Sequence, residues 1–163
     1  MTFAIEEGYA PGCIGRVAQL HAEYYASSSG FGVRFEAKVA QDLAQFCAAF
    51  DAGRDGLWLV RDAQIEGSIA IDGSRAAEEG AHLRWFITSD ALRGQGVGKR
   101  LLQRALAFAD TQGYPSVYLW TFAGLDAARH LYESHGFRLV QQSPGATWGT
   151  AVQEQRFVRE RAR

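Results

Sequence analysis

The sequence has no excess of charge of either sign. Its 17 lysines and arginines stand against 18 aspartates and glutamates, which gives a formal net charge of −1. Nucleic-acid-binding domains usually carry a clear positive balance, so we expect no nucleic-acid partner. A local basic patch stays open as an alternative, because four cations lie between Arg93 and Arg104.

Long apolar runs and cysteines are scarce as well. No stretch approaches the roughly 20 apolar residues of a membrane span, and residues 1–7 carry neither a basic leader nor an apolar signal core. Cys13 and Cys47 do not form a disulfide framework or a metal pattern. We therefore predict a cytoplasmic protein with no metal and no membrane partner. With 163 residues, of which 47% are hydrophobic, residues 1–163 are expected to form one domain.

Apolar periodicity predicts elements in the order β-α-α-β-β-β-α-β-α-β-β. The predicted strands cover residues 3–7, 57–61, 65–71, 81–88, 117–121, 137–140 and 151–158. The predicted helices cover residues 14–25, 35–50, 97–111 and 125–134. This order indicates an α/β fold with a mixed sheet and helices on both faces. We expect residues 72–80 to be a solvent loop and residues 143–145 to join the last two strands.

A glycine-rich turn, Arg93-Gly94-Gln95-Gly96-Val97-Gly98-Lys99, lies between a predicted strand and a predicted helix. Glycines let the backbone approach an anion closely, and the first N–H groups of a helix have no partners inside it. We therefore expect this turn to bind the phosphates of a nucleotide-containing cofactor. A glycine-rich connection that binds nothing is the alternative.

Two common phosphate loops do not fit this turn. The Walker A pattern would place a glycine at Arg93 and a serine or threonine at Arg100. The dinucleotide fingerprint, counted from Gly94, would place its third glycine at Lys99. Residues 93–98 instead resemble the phosphate loop of the GNAT acyltransferases, Gln/Arg-x-x-Gly-x-Gly/Ala.

A second segment strengthens this resemblance. Leu131-Tyr132-Glu133-Ser134-His135-Gly136-Phe137 resembles the family's short helix with an inward tyrosine, followed by Gly-Phe. Residues 82–87 and 120–128 are further similar to the acetyltransferase half of proteins that fuse a MarR-type helix-turn-helix to a GNAT domain. One departure is Leu125, since many family members have an asparagine seven residues before the tyrosine.

The resemblance implies direct transfer of an acetyl group from acetyl-CoA to a primary amine of a small molecule or a protein. A non-catalytic acyl-CoA-binding sensor is the alternative. The implied acetyl-CoA contacts are Phe86, Ile87, Thr88, Arg93, Gly94, Gln95, Gly96, Val97, Gly98, Lys99, Leu125 and Ala128. Many relatives dimerise, so we also consider a homodimer.

Tyr132 is the candidate general acid. A phenol with a reference pKa near 10 stays protonated at neutral pH and can donate a proton to a departing thiolate. Simple packing under the helix is the alternative. His82, with a reference pKa near 6.5, is a candidate base; Glu36 and a water relay without a dedicated base are its rivals. Strand alternation places His82, Arg84 and Phe86 on one face unless a bulge intervenes.

We expect the acceptor pocket at the loop between the first two helices, because this segment often sets substrate choice in the family. The candidate residues are Tyr24, Tyr25, Phe31, Arg34, Phe35 and Glu36. Their rings would surround an apolar body, and Glu36 could attract an ammonium group. A hydrophobic lid with solvated charges is the alternative.

Overall fold

In the computed structural model, which describes residues 2–161, one seven-stranded mixed sheet carries helices on both faces. The strands are β1 (Ala4–Glu7), β2 (Gly56–Arg61), β3 (Ile65–Asp72), β4 (Ala81–Thr88), β5 (Ser116–Phe122), β6 (Arg138–Gly145) and β7 (Val152–Glu160). The helices are α1 (Cys13–Ser29), α2 (Val33–Ala48), α3 (Ala76–Glu79), α4 (Val97–Thr111) and α5 (Asp126–Ser134). A 3₁₀ turn at Asp90–Leu92 precedes α4. The predicted fold class is confirmed, and one short helix, α3, is added to the predicted order.

The two predicted connections were wrong in different ways. Residues 72–80 contain α3 rather than an open loop. This segment is tied down at Gly73, whose N–H donates to Asp55 Oδ1 at 2.9 Å. Residues 143–145 belong to β6 and pair with residues 152–154 of β7. Among the described residues β6 is an edge strand, with β7 as its one neighbour. Pro144 is tolerated there, since an edge strand needs no second hydrogen-bonded neighbour.

Both faces of the sheet are covered at β2, which explains its continuous apolar sequence. Leu57 and Leu59 pack into the core cluster of α1 and α2. Trp58 and Val60 point the other way and pack into the cluster formed with α4. Alternate residues of a strand face opposite sides, so a strand between two layers must be apolar throughout.

Within residues 2–161 the strand order is β1-β2-β3-β4-β5-β7-β6, and the one parallel junction lies between β4 and β5. These two strands pair only at Ala81 with Val117 and at His82 with Tyr118. Beyond these pairs the strands diverge and leave a gap within the sheet. The glycine turn follows the carboxyl end of β4, so the gap and the turn lie along one strand.

Candidate active site

The gap between β4 and β5 opens into a cavity of about 370 Å³. Residues 83–86 of β4 and 119–122 of β5 form its two long walls. Helices α1, α2 and α5 add further side chains, among them His21, Tyr25, Phe35 and Tyr132. The cavity therefore collects side chains from distant parts of the chain.

A β-bulge interrupts β4 at this cavity. Trp85 and Phe86 together stand opposite the single residue Ile69. Trp85 has φ 47°, and no other non-glycine residue between 2 and 161 has a positive φ. This conformation costs an L-residue about 1 kcal/mol. The buried Ser68 hydroxyl offsets that cost by donating to the Trp85 carbonyl oxygen at 2.6 Å.

The bulge changes which side chains share a face. Arg84 points toward α2, where its Nη2 lies 3.3 Å from Asp42 Oδ2. Phe86 lies on the α4 side, with its ring centroid 6.2 Å from that of Tyr132. Simple alternation would have placed Phe86 on the face of His82 and Arg84. The bulge, which was the stated alternative, places it on the other face, because one extra residue reverses the alternation.

The glycine turn leaves its backbone open at the start of α4. Gly94 and Gly96 have φ values of 79° and 68°, and a Cβ added to either would meet no atom within 4 Å. The first α4 amide with a carbonyl acceptor is that of Arg100, 3.2 Å from Gly96 O. The preceding N–H groups have no helical acceptor, so the open turn fits a pyrophosphate.

The side chains of the turn and of the residue after it offer an anion less than the open backbone does. Arg93 is exposed and pairs with Asp90 at 2.5 Å. The Arg100 guanidinium lies over the ring of Phe3, 5.2 Å from its centroid. Lys99 is exposed, whereas the Val97 side chain is buried in the core. Backbone amides are therefore the main groups that this turn offers to an anion.

Two further predicted cofactor positions lie at α5. Leu125 precedes the helix and packs against the core cluster of α1 and α2, while Ala128 packs against the α4 cluster. Ile87 and Thr88 continue β4 and pair with Ser68 and Gly67 of β3. None of these four predicted residues lines the cavity.

Tyr132 lies at the inner wall of the cavity, with 7% of its surface exposed. Its hydroxyl makes no hydrogen bond to any residue between 2 and 161. No buried side-chain oxygen or nitrogen in that range lacks a partner, so this hydroxyl opens onto the cavity. Burial raises the pKa of Tyr132 well above its usual value near 10, with a smaller contribution from Tyr25. The phenol therefore holds its proton at neutral pH.

His82 also lines the cavity, and its ring stacks on that of Tyr118 with 4.4 Å between centroids. Burial, followed by the charges of Arg84 and Arg156, lowers the pKa of His82 to about 3. A general base works best with a pKa near the working pH. The proposed base role of His82 is therefore weakened and stays a prediction. Glu36, its rival, is exposed on α2 and does not line the cavity.

A second histidine, His21, was missed as a site residue. It is 6% exposed, and its Nδ1 lies 2.8 Å from the Val17 carbonyl oxygen. A carbonyl oxygen only accepts, so Nδ1 carries the proton and Nε2 is left with a lone pair at the cavity wall. Burial lowers the pKa of His21 to about 4, and the hydrogen bond to Val17 opposes this shift. The available signal was a polar residue on an otherwise apolar helix stripe.

The predicted acceptor residues divide into two groups. Tyr25 and Phe35 line the cavity, and Phe31 packs on Tyr25 with 5.8 Å between centroids. Tyr24, Arg34 and Glu36 are exposed and do not line it. Trp148, from the loop between β6 and β7, stacks near Phe31 at 6.5 Å and was missed. The aromatic wall thus includes a residue far from the first two helices.

Between residues 2 and 161, no group of three or more histidine, cysteine or acidic residues could hold a metal ion. No helix in this range is long and apolar enough to cross a membrane. Cys13 is buried and Cys47 partly buried, and both are free thiols.

The profile of the Acetyltransferase (GNAT) family matches residues 14–137, which include the glycine turn, the bulge and Tyr132. This chain belongs to the GNAT acetyltransferase family. Within it, the chain is 30% identical over 159 residues to the N-acetylaspartate synthetase of Homo sapiens. That match covers 93% of this chain and 52% of the human protein, so the chain spans about half the length of that relative.

Solved structures share the same GNAT architecture. An acetyltransferase from Streptococcus agalactiae superposes with a TM-score of 0.77 at 18% identity and covers 98% of each chain. An acetyltransferase from Salmonella typhimurium, determined with its cofactor acetyl-CoA, gives 0.76 at 15% identity over 100% of this chain and 96% of that one. At these identities the likeness establishes the fold.

Proposed function

We propose that this chain transfers an acetyl group from acetyl-CoA to a primary amine of a small molecule or a protein. The observation that carries the proposal is that Phe86 lies against both the glycine turn and Tyr132. Phe86 packs on Tyr132, and its Cζ lies 3.6 Å from where a Cβ on Gly98 would stand. One residue at the bulge thus joins the open turn to the buried phenol.

Acetyl-CoA, when bound, supplies an acetyl group activated as a thioester. The N–H groups at the start of α4 would bind its pyrophosphate, and Lys99 would add a positive charge there. The backbone at Phe86, Ile87 and Thr88 would pair with its pantetheine arm. The open space over Gly94 and Gly96 supports this assignment.

Two proton positions follow from the residues of the cavity. Tyr132 Oη holds a proton for the departing sulfur. His21 Nε2 carries a lone pair that can accept a hydrogen bond from the neutral acceptor amine. The low pKa values of His21 and His82 favour final release of the amine proton through water, although His82 and Glu36 stay candidate bases.

An amine panel tests the proposal directly. The chain is mixed with acetyl-CoA and single amines, and release of free coenzyme A thiol is measured against controls without amine. We expect thiol release that saturates with at least one amine and requires it. Saturable acetyl-CoA binding without turnover on any amine would instead support the acyl-CoA sensor.

Several finer expectations remain predictions. The name of the human relative points to an amino acid acceptor, so amino acids belong in the panel. We also propose a cytoplasmic location, a homodimer, the absence of a nucleic-acid partner, and a particular likeness to the MarR-type fusion proteins. Sedimentation of the purified chain measures the oligomeric state, and salt-dependent DNA retention measures nucleic-acid binding.

A further inference from the structure

We infer that the acceptor amine also carries a carboxylate, and that Arg156 binds this carboxylate at the rim of the cavity between β4 and β5. The inference rests on the proposed acetyl transfer and names the chemical class of its acceptor.

Arg156 stands beside two residues that line the cavity. It pairs across the sheet with Trp120 of β5, which lines the cavity and is 37% exposed. Its guanidinium lies over the ring of Tyr118, with Cζ 4.7 Å from the centroid. Tyr118 in turn stacks on His82, a second wall residue. Arg156 is therefore one side chain away from the cavity.

The other cations of the cleft already have partners. Lys38 Nζ lies 3.0 Å from Asp42 Oδ2. Arg84 lies 3.3 Å from the same carboxylate and 3.7 Å from Asp72. Arg156, by contrast, is in no ion pair within 4.0 Å among residues 2–161, although it is only partly exposed. Within residues 2–161, its charge is the one left without an ion-pair partner at this rim.

The nearest acid along β7 does not neutralise Arg156. Glu154 is two residues away and therefore lies on the same face of the strand, where it lines the cavity. Its Oε2 instead accepts the N–H of Thr147 at 2.8 Å. Among the described residues, Arg156 and Glu154 form no ion pair, so the Arg156 charge is left for a ligand.

The chemistry of this arginine selects one kind of ligand. A guanidinium stacked on a ring keeps its N–H donors in the plane of the group, directed sideways. That fork matches the two oxygens of a carboxylate. A polyamine or a lysine-rich peptide would place a second cation against Arg156, which is unfavourable. A small amine with a carboxylate, such as an amino acid, satisfies both Arg156 and the reaction.

The test compares each α-amino acid with its own carboxamide, at saturating acetyl-CoA. We expect the free acid to exceed the amide in kcat/KM by about 10- to 100-fold, the range of a charge-assisted hydrogen-bonded pair. Arg156→Gln should abolish this preference by raising KM for the acid, with kcat and the KM for acetyl-CoA unchanged. Arg156→Lys should restore part of it, because the charge is kept and the fork is lost.

A matched control is Arg138→Gln, which removes an exposed β6 arginine paired with Glu160 at 3.3 Å. It should leave the preference intact. Equal turnover of acids and amides by the unmodified chain would overturn the inference, as would an equal effect of Arg156→Gln on both. If only amines without a carboxylate were turned over, the proposed acetyl transfer would stand and the proposed carboxylate site would be wrong. If coenzyme A thiol were released at the same rate without any amine, both proposals would be wrong.

Discussion

The proposed site has two halves that are built in different ways: a phosphate half at the glycine turn and an acceptor half at the cavity. The phosphate half is one run of residues, 93–99, and it offers mainly backbone amides in an exposed turn. The acceptor half is made of side chains from α1, α2, β4, β5, α5, β7 and the loop before β7. A site made of backbone can be recognised in local sequence, whereas a site made of distant side chains needs the fold.

The halves also differ in their electrostatics. Burial holds His21, His82 and Tyr132 in their neutral forms at neutral pH, because it disfavours the charged form of each. A nucleophilic amine must also be neutral to react. The acceptor half is thus an apolar environment suited to a free amine, while the exposed turn of the phosphate half suits an anion.

The largest expected effect separates the two halves at Tyr132. Tyr132→Phe removes the hydroxyl that faces the cavity, and we expect kcat to fall by about 100-fold or more, since a positioned proton donor contributes that much. The KM for acetyl-CoA should stay unchanged, because the phosphate half is intact. The hydroxyl makes no hydrogen bond within residues 2–161, so stability should change little.

Tyr25→Phe is the matched control. Tyr25 is a second tyrosine of the cavity wall, and burial raises its pKa to about 12 as well. If both variants lose the same fraction of kcat, the acid role of Tyr132 is wrong and a general loss of packing explains the result. Full activity of Tyr132→Phe at every pH would also show that the acid role of Tyr132 is wrong.

The next effect concerns the buried histidine of the acceptor half. The pKa of His21 is about 4 in the folded chain against 6.5 as its ordinary value. Between these values the unfolded chain binds more protons, so stability falls as pH decreases from 6.5 toward 4. A shift of this size corresponds to about 3 kcal/mol when complete. His21→Asn should remove roughly 2 kcal/mol of the loss between pH 7.5 and 4.5, measured by urea unfolding.

Asparagine is the informative replacement because its amide N–H can still donate to the Val17 carbonyl that His21 Nδ1 contacts. His130→Asn, at an exposed position of α5, is the matched histidine-to-asparagine control. An unchanged pH profile in His21→Asn would show that the cleft does not hold this imidazole neutral.

The same division explains what the sequence could predict. The glycine turn, the strand before it and α4 after it are local features, and their predicted bounds match the structure. Tyr132 could be found because its motif is contiguous. His21 and Trp148 could not, because only tertiary packing brings α1 and the loop before β7 to the same cavity. The face on which Phe86 lies depends on the β4 bulge, and the residue types of β4 do not indicate where that bulge falls.

A third prediction tests the support of that bulge. Ser68→Ala removes the hydroxyl that donates to the Trp85 carbonyl at 2.6 Å and leaves this carbonyl without that partner in a buried position. We expect a loss of about 1–3 kcal/mol in the free energy of unfolding. Because the bulge positions Phe86 between the halves, kcat and the KM for acetyl-CoA should both worsen. Denaturant titration and steady-state kinetics measure these effects.

Ser134→Ala is the corresponding control, since its hydroxyl donates to the Leu131 carbonyl at 2.8 Å in an exposed position. It should cost less than about 0.5 kcal/mol. Equal losses in the two variants would mean that Ser68 contributes no more than an ordinary surface hydrogen bond.

The smallest effect is expected in the phosphate half, at Gly96→Ala. Gly96 is the N-cap of α4 with φ 68°, and Gly12 is the N-cap of α1 with φ 88°. A Cβ would meet no atom within 4 Å at either position, so each substitution to alanine should cost about 1 kcal/mol through backbone strain alone. Only Gly96→Ala places a methyl group over the amides that we propose bind phosphate, so only it should raise the KM for acetyl-CoA, by roughly tenfold. Thermal unfolding and kinetics of the pair separate strain from binding. If Gly96→Ala and Gly12→Ala had the same KM for acetyl-CoA, the proposal that this turn binds the pyrophosphate would be wrong. An equal loss of stability in the two variants would not change that conclusion.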